Sequence, residues 1–364
     1  MPKVKKSQPT KQLPDGFVTA RQRKKEGSFI TAMLKGKRGA GKSRFLIDLH
    51  KMNVEDAYKK LYKGDLDWSD YDYDKVAKAS EHCLMLVIDY DLEGQEKLIE
   101  NDNLMPDVIS NSWIKFSVVG SPLDSDDYHD RYEEGLEALK YCLHMLQEHH
   151  DKYPNYSHQR VLIVEDLGEL YDTSIDHFFN DATHGQVKTF REQFTKTIKK
   201  KIAQGKPQKG EPGVALFPLG QRDTFGKINM DYKYFAQEAV RYKRIFGYSV
   251  YFTTRIATVE KENKETKKKW TEEFAVGRTY LLEGYFDLIV QFDKLIKIKD
   301  DSKKARYVMD TFGSNEDIGK NRLSDDFMMR SPRVDIARAF FDKLRSEMKN
   351  VGKVIQNEKN NDKS

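Results

Sequence analysis

The chain has 364 residues, 38% apolar and 33% charged, which allows one large domain or two ordinary ones around a sizeable core. Its 63 Lys and Arg against 58 Asp and Glu leave a net charge of only +5, so bulk charge gives no case for a nucleic-acid partner and local clustering must carry one. Two cysteines, Cys83 and Cys142, lie outside any CxxC or Cys/His cluster, which argues against a disulfide framework and structural zinc and points to a reducing, cytoplasmic setting.

Residues 1–27 are polar, basic and punctuated by proline, and read as a flexible N-terminal arm without the apolar core of a secretory signal. From there short apolar runs alternate with helical patterns, which signals an α/β domain with a mainly parallel central sheet flanked by helices. The strand candidates are SFITAML (28–34), CLMLVID (83–89), WIKFSVVG (113–120), RVLIVED (160–166), YSVYFTT (248–254), FDLIVQF (286–292) and ARYVMDT (305–311). Between them, SRFLIDLHKM, LEGQEKLIEN and DDYHDRYEEGLEALKYCLHMLQEHH read as helices. The last repeats Leu136, Leu139, Cys142, Leu143 and Leu146 at helical spacing, with Ser125 or Asp126 as its expected cap and a solvated His149-His150 pair at its end. No apolar run approaches the ~18–20 residues of a membrane span. Two lysine-rich segments, 196–213 and 259–269, read as loops or helix ends. Residues 313–349 are expected to form a helical extension and 350–364 a tail.

GKRGAGKS, between the first strand and the first helix, matches G-x-x-x-x-G-K-[ST] without deviation. Glycines let the backbone turn tightly and aim several N–H groups at one point, and the following helix adds its positive end. Gly36, Lys37, Arg38, Gly39, Ala40, Gly41, Lys42, Ser43 and the adjoining Arg44 are therefore the candidate nucleotide-binding set. Lys42 would reach the β and γ phosphates of ATP, and Ser43 would ligate Mg²⁺. Such a cradle needs a carboxylate at a second strand end. RVLIVEDLGEL supplies Glu165 and Asp166, either of which is suitably spaced to hold Mg²⁺. CLMLVIDYDLEG adds Asp89, Asp91 and Glu93, and YSVYFTTR adds Thr253, Thr254 and Arg255 where a γ-phosphate sensor would sit. In open α/β sheets ligands collect at such carboxyl ends.

The order of these parts resembles the RecA-like ATPase core over roughly residues 28–312, and within it the ATPases of phages and archaeal elements associated with strand annealing and recombination. VIDYDLEG, VLIVEDLGEL and QRDTFGKINMDYKYFAQEAVRYKRIFGYSVYFTTR carry the likeness. The resemblance implies catalytic roles for Lys42, Asp91, Glu165, Asp166 and Arg255. Glu165-Asp166 stands where the family commonly has Asp-Ser, and Asp91 where it often has Glu; the shorter side chain implies slow turnover. The resemblance also implies DNA, single-stranded by expectation, at the loops around the sensor strand. Lys196, Lys199, Lys200, Lys201, Lys206 and Lys209 precede that strand; Lys261, Lys264, Lys267, Lys268, Lys269 and Trp270 follow it. It further implies a ring or filament, with Arg278, Lys294 or Arg306 as the charge offered to a neighbour's ATP. Two other readings fit the motifs: a DNA-translocating or genome-packaging motor of the FtsK/HerA type, and a nucleotide-gated binding module without turnover.

Overall fold

The computed structural model describes residues 29–91, 105–120, 129–182, 221–262, 269–299, 302–310 and 330–332, with 338, 339 and 342. The strands are β1 (Thr31–Gly36), β2 (Leu84–Asp89), β3 (Trp113–Ser117), β4 (Arg160–Glu165), β5 (Ser249–Glu262), β6 (Lys269–Ala275), β7 (Leu288–Lys299), β8 (Ser302–Asp310) and β9 (Arg330–Pro332). The helices are α1 (Lys42–Tyr62), α2 (Tyr73–Ser80), α3 (Arg131–Lys152), α4 (Leu167–Ala182), α5 (Gln221–Arg241) and the short α6 (Lys243–Phe246). They form an α/β fold around one sheet of order β3-β2-β4-β5-β1-β7-β8-β9, with β6 paired to β5. The run from β3 to β7 is parallel, while β6, β8 and β9 join antiparallel.

The parallel strands are continuous apolar runs because helices cover both faces. β1, β2 and β4 are buried along their whole length. On one face Met33, Ile88, Val164 and Phe252 pack against Leu139 and Leu146 of α3, Leu170 and Phe178 of α4, and Tyr232 and Phe235 of α5. On the other lies α1, whose Phe45 ring meets Phe292 of β7 edge-on at 5.3 Å.

β5 and β7 run well past their apolar segments because each enters a hairpin. β7 pairs with β8 from Gln291↔Asp310 to Lys299↔Ser302, and β5 pairs with β6 from Ile256↔Ala275 to Glu262↔Lys269. Part of the charged run 259–269, expected as a loop, is thus strand, its backbone hydrogen bonds satisfied by β6. The segment 92–101, the segment 196–213 and both termini lie outside the described residues. In 313–349, residues 330–332 form β9, and 338, 339 and 342 are helical.

Two local expectations are corrected. Asp130, not Ser125 or Asp126, caps α3, accepting from the N–H groups of Tyr132 and Glu133 at 3.0 and 3.3 Å. His149 and His150 are not simply solvated. Both turn Nδ1 toward the guanidinium of Arg160, at 3.3 and 3.1 Å. Arg160 is wholly buried and also donates to the carbonyls of Phe246 (2.9 Å), Gly247 (3.1 Å) and Tyr153 (3.1 Å). Carbonyls at two helix ends carry partial negative charge, which is what holds the cation there. This anchors the start of β4 and so aims its other end.

Gly135 in α3 is required by contact: a Cβ there would stand 1.8 Å from the Tyr90 hydroxyl oxygen, itself buried. Gly135→Ala should therefore destabilise by about 2 kcal/mol or more by overpacking, against the ~1 kcal/mol that helix propensity alone would add. A urea melt reads the sign directly.

His50 of α1 is fully buried, its Nε2 2.9 Å from Ser112 Oγ, and burial lowers its pKa to about 4. A histidine kept neutral in the fold contributes stability above its unfolded pKa, and that stability is lost as pH falls below ~6.5 toward the folded value. The loss from this ring should reach about 2 kcal/mol by pH 5. Urea melts at pH 7.5 and 5 should show a smaller acid loss in His50→Gln, which keeps the contribution of His149, whose pKa burial and then Arg160 also lower to about 4. Equal losses would contradict the assignment.

Candidate functional site

β1 ends at Gly36, where an added Cβ would lie 2.6 Å from the Phe292 carbonyl oxygen of β7, so only glycine fits. The chain then turns through Gly39 (φ 76°) and Gly41 (φ 97°), both left-handed, with Ala40 N–H donating to Lys37 O at 3.1 Å. α1 begins at Lys42, and the N–H groups of its first turn face the loop. Lys42 is buried. Its Nζ donates to the carbonyls of Gly36 (2.9 Å) and Lys37 (3.4 Å), which holds the ammonium across the mouth of the turn. Arg38 is exposed, Arg44 is held by Asp48 one turn along α1, and Lys37 pairs with Glu273 of β6.

Adjacent strands bring the carboxylates here. β5 lies between β1 and β4, and β2 lies beyond β4. Ser43 Oγ donates to Glu165 Oε1 at 3.0 Å, joining the first turn of α1 to the end of β4. Asp166 turns elsewhere. Its Oδ1 accepts from Gly168 N at 2.7 Å and its Oδ2 from Arg255 Nε at 2.8 Å. The other side of Arg255 meets Glu169 Oε1 at 2.5 Å, and Arg131 of α3 stands 3.8 Å from Glu169 Oε2 while donating to Tyr90 O at 2.8 Å. The Glu165–Asp166 peptide is cis.

Asp91 is half-buried just beyond β2, its N–H on Asp89 Oδ1 at 2.9 Å, while Asp89 is buried with Lys115 at 2.7 Å. The negative charge of Asp91 acts on both Lys42 and Arg255. Lys42, Asp91, Glu165, Asp166 and Arg255 thus gather at one end of the sheet. Burial lowers the pKa of Lys42, with the carboxylates of Asp166 and Glu165 opposing. Burial raises that of Asp166 against the Gly168 N–H and Arg255. For Arg255 burial works downward, yet Asp166 and Glu169 more than offset it and hold the guanidinium charged.

The donors suit a small, hard cation that keeps most of its ligands as water and phosphate. Ser43 and Glu165 offer one hydroxyl and one carboxylate side by side. Among the described residues no group of three or more His, Cys, Asp or Glu side chains is disposed for an all-protein metal cage. The glycine turn supplies the anion side of the same fit.

Of the candidate polyanion-binding residues, Lys269 is exposed on β6, and Trp270 lies beside it in register with Lys261 of β5. Lys199, Lys200, Lys201, Lys206, Lys264, Lys267 and Lys268 lie outside the described residues. Arg278 is taken up within its own chain, its guanidinium 4.7 Å from the Phe225 ring centre and 5.5 Å from that of Tyr171. Lys294 and Arg306 sit in the β7–β8 hairpin, one register step apart. Sequence reasoning missed Glu169, Arg131 and Glu273. Glu169 stood in view in VEDLGEL, three residues after Asp166; the other two had no local signal. No protein-family model matches this chain, and no curated protein matches it. Among the described residues no helix is long and apolar enough to cross a membrane.

Removing Arg255 would strand Asp166, which is 3% exposed, without its counter-charge. Because Arg255 itself is partly exposed, Arg255→Ala should cost about 2 kcal/mol, and adding Asp166→Asn should return part of it. Urea melts of the two variants decide this. A double variant no more stable than Arg255→Ala would contradict it.

Proposed function

We propose that this chain is a Mg²⁺-dependent ATPase of the RecA-like kind that acts on DNA. The observation that carries the reading is the Ser43–Glu165 contact at 3.0 Å, directly beside a glycine turn that opens α1. A magnesium nucleotide needs that combination: backbone N–H groups and an ammonium for the phosphates, with a hydroxyl and a carboxylate for the ion. The placement of β5 between the cradle strand and the carboxylate strand also supports it, since Arg255 then faces both.

In this reading Gly36 to Ser43 wrap the phosphates, and Lys42 moves from the loop carbonyls to the β and γ oxygens. Ser43 and Glu165 hold Mg²⁺, whose chemistry is to neutralise phosphate charge. Asp91 orients the attacking water, and Asp166 with Glu169 fixes Arg255 toward the γ phosphate. The β5–β6 hairpin is the DNA-facing element: Lys261, Lys269 and Trp270 lie together near its far end, lysines for phosphates and an aromatic for a base. Glu273 of the same hairpin reaches Lys37, so polyanion and nucleotide share a physical connection.

Phosphate release measured without DNA, with single-stranded DNA and with duplex DNA tests the proposal. Turnover should require Mg²⁺, rise with single-stranded DNA in a strongly salt-dependent way, and fall by about a hundredfold or more in Lys42→Ala. ATP binding without release under any condition would favour a gating module. Preference for duplex DNA with movement along it would favour a motor. No nucleotide binding by the wild type would overturn the reading.

A further inference from the structure

Thr253 of β5 carries a buried hydroxyl that the fold does not use. The residue is 1% exposed, and among the described residues its Oγ1 has no hydrogen-bond partner. The neighbouring Thr254 is accounted for, donating to Val276 O at 2.9 Å. A buried hydroxyl left unpaired is costly, and valine would fill the same volume without that cost. Such an atom calls for an explanation, and an ion or its water is one of the few available.

Its place supplies one. Side chains alternate across a strand, and Phe252 faces the cluster formed with α3, α4 and α5. Thr253 therefore faces the opposite side of the sheet, the side of α1. Register pairs Leu34 with Thr253 on β1, and Val164 with Phe252 on β4. One residue beyond that second pair stand Glu165 and Thr253. Glu165 reaches Ser43 of α1, so it too points to the α1 side. The hydroxyl thus belongs to the strip of sheet that carries the Ser43–Glu165 pair.

We propose that Thr253 is a positioning residue for the Mg²⁺ held by Ser43 and Glu165, its Oγ1 accepting from or donating to a water ligand of the ion. This rests on the nucleotide reading above and adds a third protein group on its buried side. Mg²⁺ keeps several waters and demands near-octahedral geometry, so one fixed water is a direct means of orienting it.

Thr253→Val and Thr253→Ser in the full chain test this with two measurements. The first is thermal unfolding in chelator without nucleotide. The second is equilibrium affinity for ATP, with Mg²⁺ and with chelator. Thr253→Val should unfold at or above the wild-type temperature, because it removes an unpaired hydroxyl and keeps the packing. Its Mg²⁺-dependent gain in ATP affinity should fall about tenfold, with the affinity in chelator unchanged. Thr253→Ser should keep the gain. A Val variant that retains the full Mg²⁺ gain, or that unfolds well below wild type, overturns this assignment alone. A wild type with no affinity for ATP overturns the nucleotide reading and this assignment with it.

Discussion

The structure turns on one contact across the sheet, Ser43 Oγ to Glu165 Oε1 at 3.0 Å. The two residues are 122 positions apart, and β1, whose glycine turn leads into α1, is not adjacent to β4 in the sheet. For them to meet, β5 must lie between β1 and β4 in register, and α1 must leave the glycine turn over β5 toward β4. The parallel sheet, the left-handed Gly39 and Gly41, and the close approach of Gly36 to Phe292 all serve that geometry. A hydroxyl and a carboxylate from different parts of the chain are thereby set beside the glycine turn that opens α1, which is the arrangement the proposed magnesium nucleotide would need.

A second layer holds the first in place. Arg131, Glu169, Arg255 and Asp166 alternate in sign from α3 through α4 to β5 and the end of β4. Burial pushes the pKa of Asp166 up, and the Gly168 N–H and the guanidinium of Arg255 beside it work against that rise. The arrangement also frees Glu165: with Asp166 taken by Arg255 and Gly168, Glu165 is the member of the acidic pair that faces Ser43. At the far end of β4, Arg160 binds helix-end carbonyls and two histidines rather than an acid, which fixes the strand at its start. The hairpin then ties both arms to the same centre, through Arg255 on β5 and through Glu273 to Lys37 on β6.

Much of this was legible in the sequence, for a physical reason. Strands buried on both faces must be apolar throughout, so LMLVID and RVLIVE stand out without any alignment. The glycine turn shows because only certain residues permit its backbone angles. The extension of β5 was hidden because VEKE reads as a solvated run, and its strand partner β6 is supplied from beyond the charged segment. The cap of α3 was misplaced because DSDDYHD offers several acids, and only the fold selects Asp130. Arg160 opens an apolar strand, and nothing in the neighbouring sequence marks it for burial. Its acceptors at Phe246 and Gly247 lie 86 and 87 positions away and include no carboxylate that pairing rules could have found. The Glu165–Asp166 ambiguity was a real one at the level of spacing. The fold distinguishes the two by partner alone: Asp166 accepts from Arg255, 89 positions away, and Glu165 from Ser43.

The most direct measurement of the central claim is an equilibrium titration of ATP into the wild type and Glu165→Gln, each with excess Mg²⁺ and with chelator. The account requires that Mg²⁺ strengthen binding to the wild type and that most of this strengthening vanish in Glu165→Gln, while Asp166→Asn retains it. Equal binding in all four conditions, or no binding in any, would show that the glycine turn and the Ser43–Glu165 pair do not form one site.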